Sequence, residues 1–440
     1  MRARSHLVVL AIAAAFPEAA RPAATPQDLS APESEVAAWI DEHNAEALAL
    51  LRRAVDVNSG TMNLAGVREV GRLFAAPLEA LGFETTWIDG AAWKRAGHLV
   101  ARRPGRGPRI LLIGHLDTVF EPESPFQRFE LVGDTAARGP GVTDMKGGDV
   151  VLVQALRALA ETGSLDGLSL TVILIGDEER IGGPRELARR ALVEAADEAD
   201  IAIAFEDGDG DPRTAVIARR GSSRWTLRTT GTPAHSSQVF REDVGAGAIF
   251  EAARILDGFR RALGDRQTLT FNPGLILGGT RVEHDSAQAR GEAFGKNNVV
   301  AGTAVVSGDL RALSIAERES AKERMHRIVA GSLPGTEAEI SFVDSYPPLA
   351  PTAGNERLLA MFDRASRDLG LGPVTAVNPR DAGAADVSFT AGRVAMAIDG
   401  IGLMGRGGHT VDETADLRTL PVQTKRAAVL LLRLSRGDSR

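Results

Sequence analysis

Apolar residues occur along this chain in three distinct textures. Between residues 33 and 55, Val36, Ile40, Ala47, Leu48 and Leu51 recur at spacings of mostly three and four, with acidic residues in the first half. That is the period of an amphipathic helix. Residues 63–81 predict a second helix that stops at Gly82, a residue suited to a helix C-terminus. Residues 110–113, 168–175 and 201–205 are instead short, mostly apolar runs, as strands buried on both faces require. Short strands at 84–88 and 98–101 come before them, and a helix at 147–161 falls between. This alternation predicts an α/β fold with a mainly parallel central sheet covered on both faces.

Near Gly221 the texture changes. Trp225, Leu227 and Thr229 alternate with Arg224, Thr226 and Arg228, the pattern of a half-exposed strand. A helix at 244–263, strands at 268–277 and 299–310, a helix at 314–330 and a strand at 337–343 follow. They read as an inserted α+β domain, an antiparallel sheet with two helices on one face, placed at 222–334. The buried pattern resumes near 347 with a helix at 355–369, a strand at 394–398 and a helix at 422–434. The main domain is therefore split into 33–221 and 335–440.

A different pattern opens the chain. Arg2 and Arg4 precede an apolar run at 7–16 and a Pro/Ala-rich stretch to residue 32. That is the layout of a secretory signal and linker, too short to span a membrane as a helix. It predicts a periplasmic or secreted protein, with an Ala-rich tail on a cytoplasmic protein as the other reading.

Composition narrows the chemistry. The 440 residues suit about two domains. A net charge of −7 and the lack of any basic stripe argue against a nucleic-acid partner. With no cysteine, disulfides, thiolate metal sites and cysteine nucleophiles are excluded. A transition metal would have to be held by His, Asp and Glu.

Those residues stand where strands end or helices begin: His115 and Asp117, Asp144, Glu178 and Glu179, Glu206, and His409 after two glycines. The carboxyl ends of strands are where open α/β sheets hold ligands. In extended chain, positions two apart point the same way, so Asp117 can stand behind the His115 imidazole and set its tautomer. Two histidines and three carboxylates suit a pair of divalent cations, one carboxylate bridging. One imidazole and two carboxylates per ion suit Zn²⁺ and tolerate Co²⁺ or Mn²⁺. Of Glu178 and Glu179, one coordinates and the other takes a proton from water. Asp207–Asp211 looks like the start of a calcium loop, but Pro212 replaces the required glycine and Ala218 the bidentate glutamate.

The ordered set His115-Leu-Asp-Thr-Val119, Gly141-Val-Thr-Asp-Met-Lys-Gly-Gly148, Gly176-Asp-Glu-Glu179, Phe205-Glu206 and Gly408-His409 resembles the M20 family of metallopeptidases, above all its glutamate carboxypeptidase branch. The resemblance runs from about residue 35 to 440. It implies two zinc ions per chain, one on His115 and Glu206, the other on Glu179 and His409, with Asp144 bridging. It makes Glu178 the general base and Asp117 the partner of His115. It identifies the main domain as catalytic and the insert as a lid through which a homodimer forms. His235 matches a histidine that reaches into the partner's site, and Asn298 and Arg311 match a pair that grips the substrate's terminal carboxylate. Asp386 also matches a family position.

Two departures stand out. Where glutamate-releasing members carry basic residues, this chain has Arg213 or Thr214 and Pro347-Pro348, so a second carboxylate clamp is doubtful. The expectation is a two-zinc exopeptidase or carboxypeptidase that cleaves an amide beside a free α-carboxylate in small peptides or N-acyl amino acids. An aminoacylase is the rival within the class. A two-metal phosphoesterase and a non-catalytic binding scaffold are the rivals outside it.

Overall fold

The computed structural model describes residues 29–264, 266–286 and 290–437. The expected signal at 1–28 lies outside them, and the expected linker is already helical at Ala31. Pro32 sits in the first turn, where a missing N–H costs nothing, and Glu33 accepts the Ser30 backbone N–H at 2.8 Å. The single helix expected at 33–55 is two, Ala31–Glu42 and Asn44–Val55. They break at His43, whose ring stacks on Trp39 at 4.0 Å with Nδ1 2.8 Å from the Trp39 carbonyl.

The central sheet has the spatial order Glu84–Asp89, Gly97–Arg103, Ser169–Ile175, Arg109–His115, Ile201–Ala204, Met396–Ile398. The last four strands run parallel to one another, and Gly97–Arg103 is antiparallel to both of its neighbours. Each aliphatic run serves two cores because alternate side chains leave opposite faces. Ile110 and Leu112 pack with the helices Lys146–Glu161 and Thr419–Arg436. Leu111 and Ile113 pack with Leu192, Ala195 and Ala196 of the helix Arg190–Glu198.

The insert is a four-stranded antiparallel sheet in the order Thr270–Gly279, Thr303–Ala312, Gly221–Gly231, Thr336–Asp344. Its last strand lies wholly past residue 334, the expected end of the insert. The helices Ala248–Leu263 and Ile315–Val329 cover one face through a separate core of Trp225, Leu227, Val306, Ile255, Phe259 and Met325. The chain enters and leaves the insert side by side: the Ser222 N–H donates to the Tyr346 carbonyl at 3.0 Å, and the Ser345 N–H to that of Ser222 at 2.9 Å.

Two features go beyond the expected elements. A hairpin, Arg281–Asp285 with Arg290–Phe294, extends the insert. A small sheet in the order Gly405–Arg406, Thr414–Asp416, Ala136–Arg138, Glu130–Val132 joins the stretch before Asp144 to the turn carrying His409. Among the described residues, no helix is long and apolar enough to cross a membrane.

Candidate metal centre

Three parallel strands deliver polar residues to one edge of the sheet. His115 ends its own strand, the Glu178-Glu179 turn follows Ile175, and Glu206 follows Ala204. Asp144 comes from the loop before the helix Lys146–Glu161. His409 comes from the turn between Gly405–Arg406 and Thr414–Asp416, with a left-handed φ of 64° beside Gly407 at 77°. Histidine tolerates that region better than bulky residues do.

Five of these side chains converge. Candidate donor atoms of His115, Asp144 and Glu206 lie within 4.8 Å of one another, and so do those of Asp144, Glu179 and His409. Asp144 belongs to both groups: Oδ1 lies 3.0 Å from His115 Nε2, and Oδ2 lies 3.0 Å from His409 Nε2. Glu206 Oε1 is 3.7 Å from His115 Nε2, and Glu179 Oε2 is 3.1 Å from His409 Nε2. Glu178 belongs to neither group.

The donor set fits cations in its chemistry as well as its spacing. Burial and the nearby Asp144 charge push Glu179 up to about 7. Burial likewise pushes Glu178 and Glu206 well above the usual carboxylate range, with neighbouring carboxylates adding to it. Hydrogen bonds to Asp144 and Glu179 push His409 up to about 11. Burial pulls the His115 imidazole down, but Glu206, Asp117 and Asp144 outweigh it and hold it well above its ordinary value. Apart from burial, the charge effects share one pattern: the carboxylates raise one another and both imidazoles, while hydrogen bonds from the two imidazoles lower Asp144.

The surroundings fix the tautomer. His115 Nδ1 lies 3.0 Å from the backbone carbonyl of Asp117, which accepts a hydrogen bond from the Nδ1–H, so in the neutral ring the Nε2 lone pair faces Asp144 and Glu206. The Asp117 carboxylate, expected behind the ring, is farther from Nδ1 at 3.5 Å. The strand ends at His115, so the simple two-residue alternation does not carry through to Asp117. That carboxylate accepts instead from Thr61 Oγ1 at 2.6 Å and from the backbone N–H groups of Glu178 at 3.0 Å and Glu179 at 3.2 Å. Asp117 thereby ties the turn carrying both glutamates to the His115 strand.

Several organising residues were not singled out from the sequence. Buried Glu413 accepts the backbone N–H groups of Gly141, Thr143 and Asp144 at 3.0, 2.9 and 3.2 Å. Asp399, paired with buried Arg219 at 2.7 Å, accepts the Glu206 N–H at 3.2 Å. The Tyr346 hydroxyl lies 2.9 Å from Glu178 Oε1 and 2.8 Å from the Glu178 carbonyl. One signal was available for Glu413, a charged residue four positions past the histidine of a glycine turn; nothing local marked the others. Asp386 pairs with buried Arg189 at 2.7 Å, and Arg189 with Asp177 at 2.6 Å, outside both donor groups.

The insert residues do not all meet. His235 is exposed, and its Nδ1 accepts the Ser237 N–H at 3.3 Å, so a neutral ring carries its proton on Nε2. The Ser236 N–H donates to the Asn298 carbonyl at 2.9 Å, which keeps His235 and Asn298 together. Arg311 lies at the other end of the sheet, opposite Ser222, with Nε 2.8 Å from Asp309. From Ser222 to the end of the strand Gly221–Gly231 the chain covers roughly 30 Å at 3.3 Å per residue. Within one chain, Asn298 and Arg311 therefore cannot grip the same carboxylate, and His235 lies past the end of the sheet remote from Ser222 and Tyr346, where the chain enters and leaves the insert. Arg213 pairs with Asp211 at 2.6 Å, and Thr214 Oγ1 donates to Asp209 at 2.6 Å.

A family model described as peptidase family M20/M25/M40 matches residues 111–433. Carboxypeptidase G2 of Pseudomonas sp. (strain RS-16) is 25% identical over 399 residues, covering 88% of this chain and 89% of that protein. A succinyl-diaminopimelate desuccinylase of Gluconacetobacter diazotrophicus is 26% identical over 403 residues, 88% of this chain and 97% of that protein. Among solved structures, the YXEP protein of Bacillus subtilis, described as a dinuclear metal binding peptidase from M20 family, superposes with a TM-score of 0.63. It is 16% identical, and the match covers 90% of this chain and 99% of that one.

Proposed function

The chain belongs to peptidase family M20/M25/M40, and on that premise we propose that it is a two-zinc exopeptidase or amidohydrolase that cleaves an amide next to a free α-carboxylate. The observation that carries this reading is Asp144, whose two oxygens each face a different histidine at 3.0 Å. His115 and Glu206 would hold one ion, Glu179 and His409 the other, and Asp144 would bridge them, with Co²⁺ or Mn²⁺ as substitutes. When bound, such a pair acidifies water and polarises the scissile carbonyl.

The remaining steps fall to the chain's own side chains. Glu178, outside both donor groups, would take the proton from the attacking water and return it to the leaving nitrogen. Arg311, at the hinge end of the insert, would bind the substrate's α-carboxylate. His235 and Asn298 lie too far along the insert to serve their own centre, which favours a homodimer in which they complete the partner's site. There the Nε2–H of His235 would donate to the developing oxyanion.

The substrate class follows from the clamp: dipeptides, small peptides or N-acyl amino acids, with an aminoacylase as the nearest variant. The likeness to carboxypeptidase G2 and to a desuccinylase supports amide hydrolysis in either form. An exported, periplasmic or secreted site of action is part of the proposal and is checked by sequencing the mature N-terminus. Assaying N-acyl amino acids and dipeptides against a phosphodiester tests the reaction class. Hydrolysis of the phosphodiester alone would replace this reading with a phosphoesterase.

A further inference from the structure

The chain contains a single tyrosine, Tyr346, two residues past the insert's last strand, Thr336–Asp344. Its hydroxyl reaches back to the catalytic domain and lies 2.9 Å from Glu178 Oε1 and 2.8 Å from the Glu178 carbonyl. Its ring rests on Phe389 at 5.6 Å, and the Arg189 guanidinium covers Phe389 at 5.7 Å. Its carbonyl accepts from Ser222, where the chain enters the insert. A second tie runs the same way: Arg185, just past the Glu178-Glu179 turn, donates to the carbonyls of Asp344 and, at 2.6 Å, Ser345. The hinge of the insert and the turn carrying Glu178 are thus joined at two points, one of them a side chain on the carboxylate itself.

We infer that Tyr346 is a positioning residue that holds the Glu178 carboxylate from the hinge of the insert. The inference rests on the reading of Glu178 as the base. A hydroxyl has one proton, so its hydrogen bond to Oε1 competes only with the Glu178 carbonyl. Engaging Oε1 fixes the plane of the carboxylate and leaves Oε2 as the oxygen free to accept a proton from water. A carboxylate that rotated freely would spend part of its time with neither oxygen aligned, and such misplacement slows a step without weakening substrate binding. Because the tie originates in the hinge, any change in the angle of the insert is felt at the base.

Tyr346→Phe keeps the ring against Phe389 and removes only the hydroxyl. Loss of a hydrogen bond to a charged group corresponds to about ten-fold or more in rate. The expected result is that fall in kcat, with KM, metal content and Tm nearly those of the wild type. An unchanged kcat, or a fall matched by metal loss, overturns the inference. A second measurement needs no turnover. Tyrosine labelled with ¹³C at Cζ gives one resonance, and Glu178→Ala should move it while Glu161→Ala, an exposed and remote change, leaves it in place. A resonance unmoved by Glu178→Ala overturns the contact whatever the substrate is. A wild type that hydrolyses no amide but keeps this response refutes the functional reading alone.

Discussion

Glu413 accepts the backbone N–H of Asp144 at 3.2 Å, although 269 residues separate them. The same carboxylate accepts from Thr143 and Gly141, so one buried side chain sets the Asp144 loop from the segment that carries His409. Glu413→Gln turns one acceptor into an NH₂ group facing N–H donors. A buried polar group left unsatisfied costs about 1–3 kcal/mol. Urea unfolding should show a loss in that range, with lower zinc affinity measured by chelator competition.

Asp144 faces both histidines, so its removal should differ in kind from removal of a terminal ligand. Asp144→Ala is expected to bring zinc close to zero per chain after dialysis, whereas Glu206→Ala and Glu179→Ala each keep about one. Elemental analysis of the three variants side by side checks this ordering.

The separation of His235 from the hinge predicts complementation. Glu178→Gln should lower kcat by about 10²–10⁴, and His235→Ala by on the order of 10²–10³, each with its fold intact. Heterodimers of the two inactive chains should regain up to half the wild-type activity per dimer, since one of the two sites then has both groups. Verified heterodimers without recovery would mean that His235 does not serve a partner.

Away from the metal centre, Glu33 links the first helix to the last through Arg433 at 2.7 Å. Burial raises the Glu33 pKa, but hydrogen bonds from Arg433 and Ser30 outweigh it and hold it below 4.5. The folded state therefore binds its proton less readily than the unfolded chain. The contribution is complete above the unfolded value and is lost as pH falls through the lower folded value. Glu33→Gln should destabilise the protein at pH 7, and the gap from wild type should shrink below about pH 4.5 in denaturant titrations.

Much of this was legible in the sequence because parallel strands buried on both faces are short, mostly apolar runs. Their ends mark where His115, Glu179 and Glu206 emerge. The amphipathic spacing before residue 55 did not reveal the break at His43, where the ring stacks on Trp39. Glu413, Asp399 and Tyr346 act across more than a hundred residues of chain, and no local period records such partners. Strand length is what separates Asn298 from Arg311, and the strand expected at 299–310 already implied it, since an extended segment between them sets them at opposite ends.

The account stands most directly on zinc titration of the chelator-stripped protein, read as release of amino acid from an N-acyl amino acid. It predicts no turnover without metal and a rise that levels off at two zinc ions per chain. Full turnover by the stripped protein, or a plateau at one ion, would contradict it.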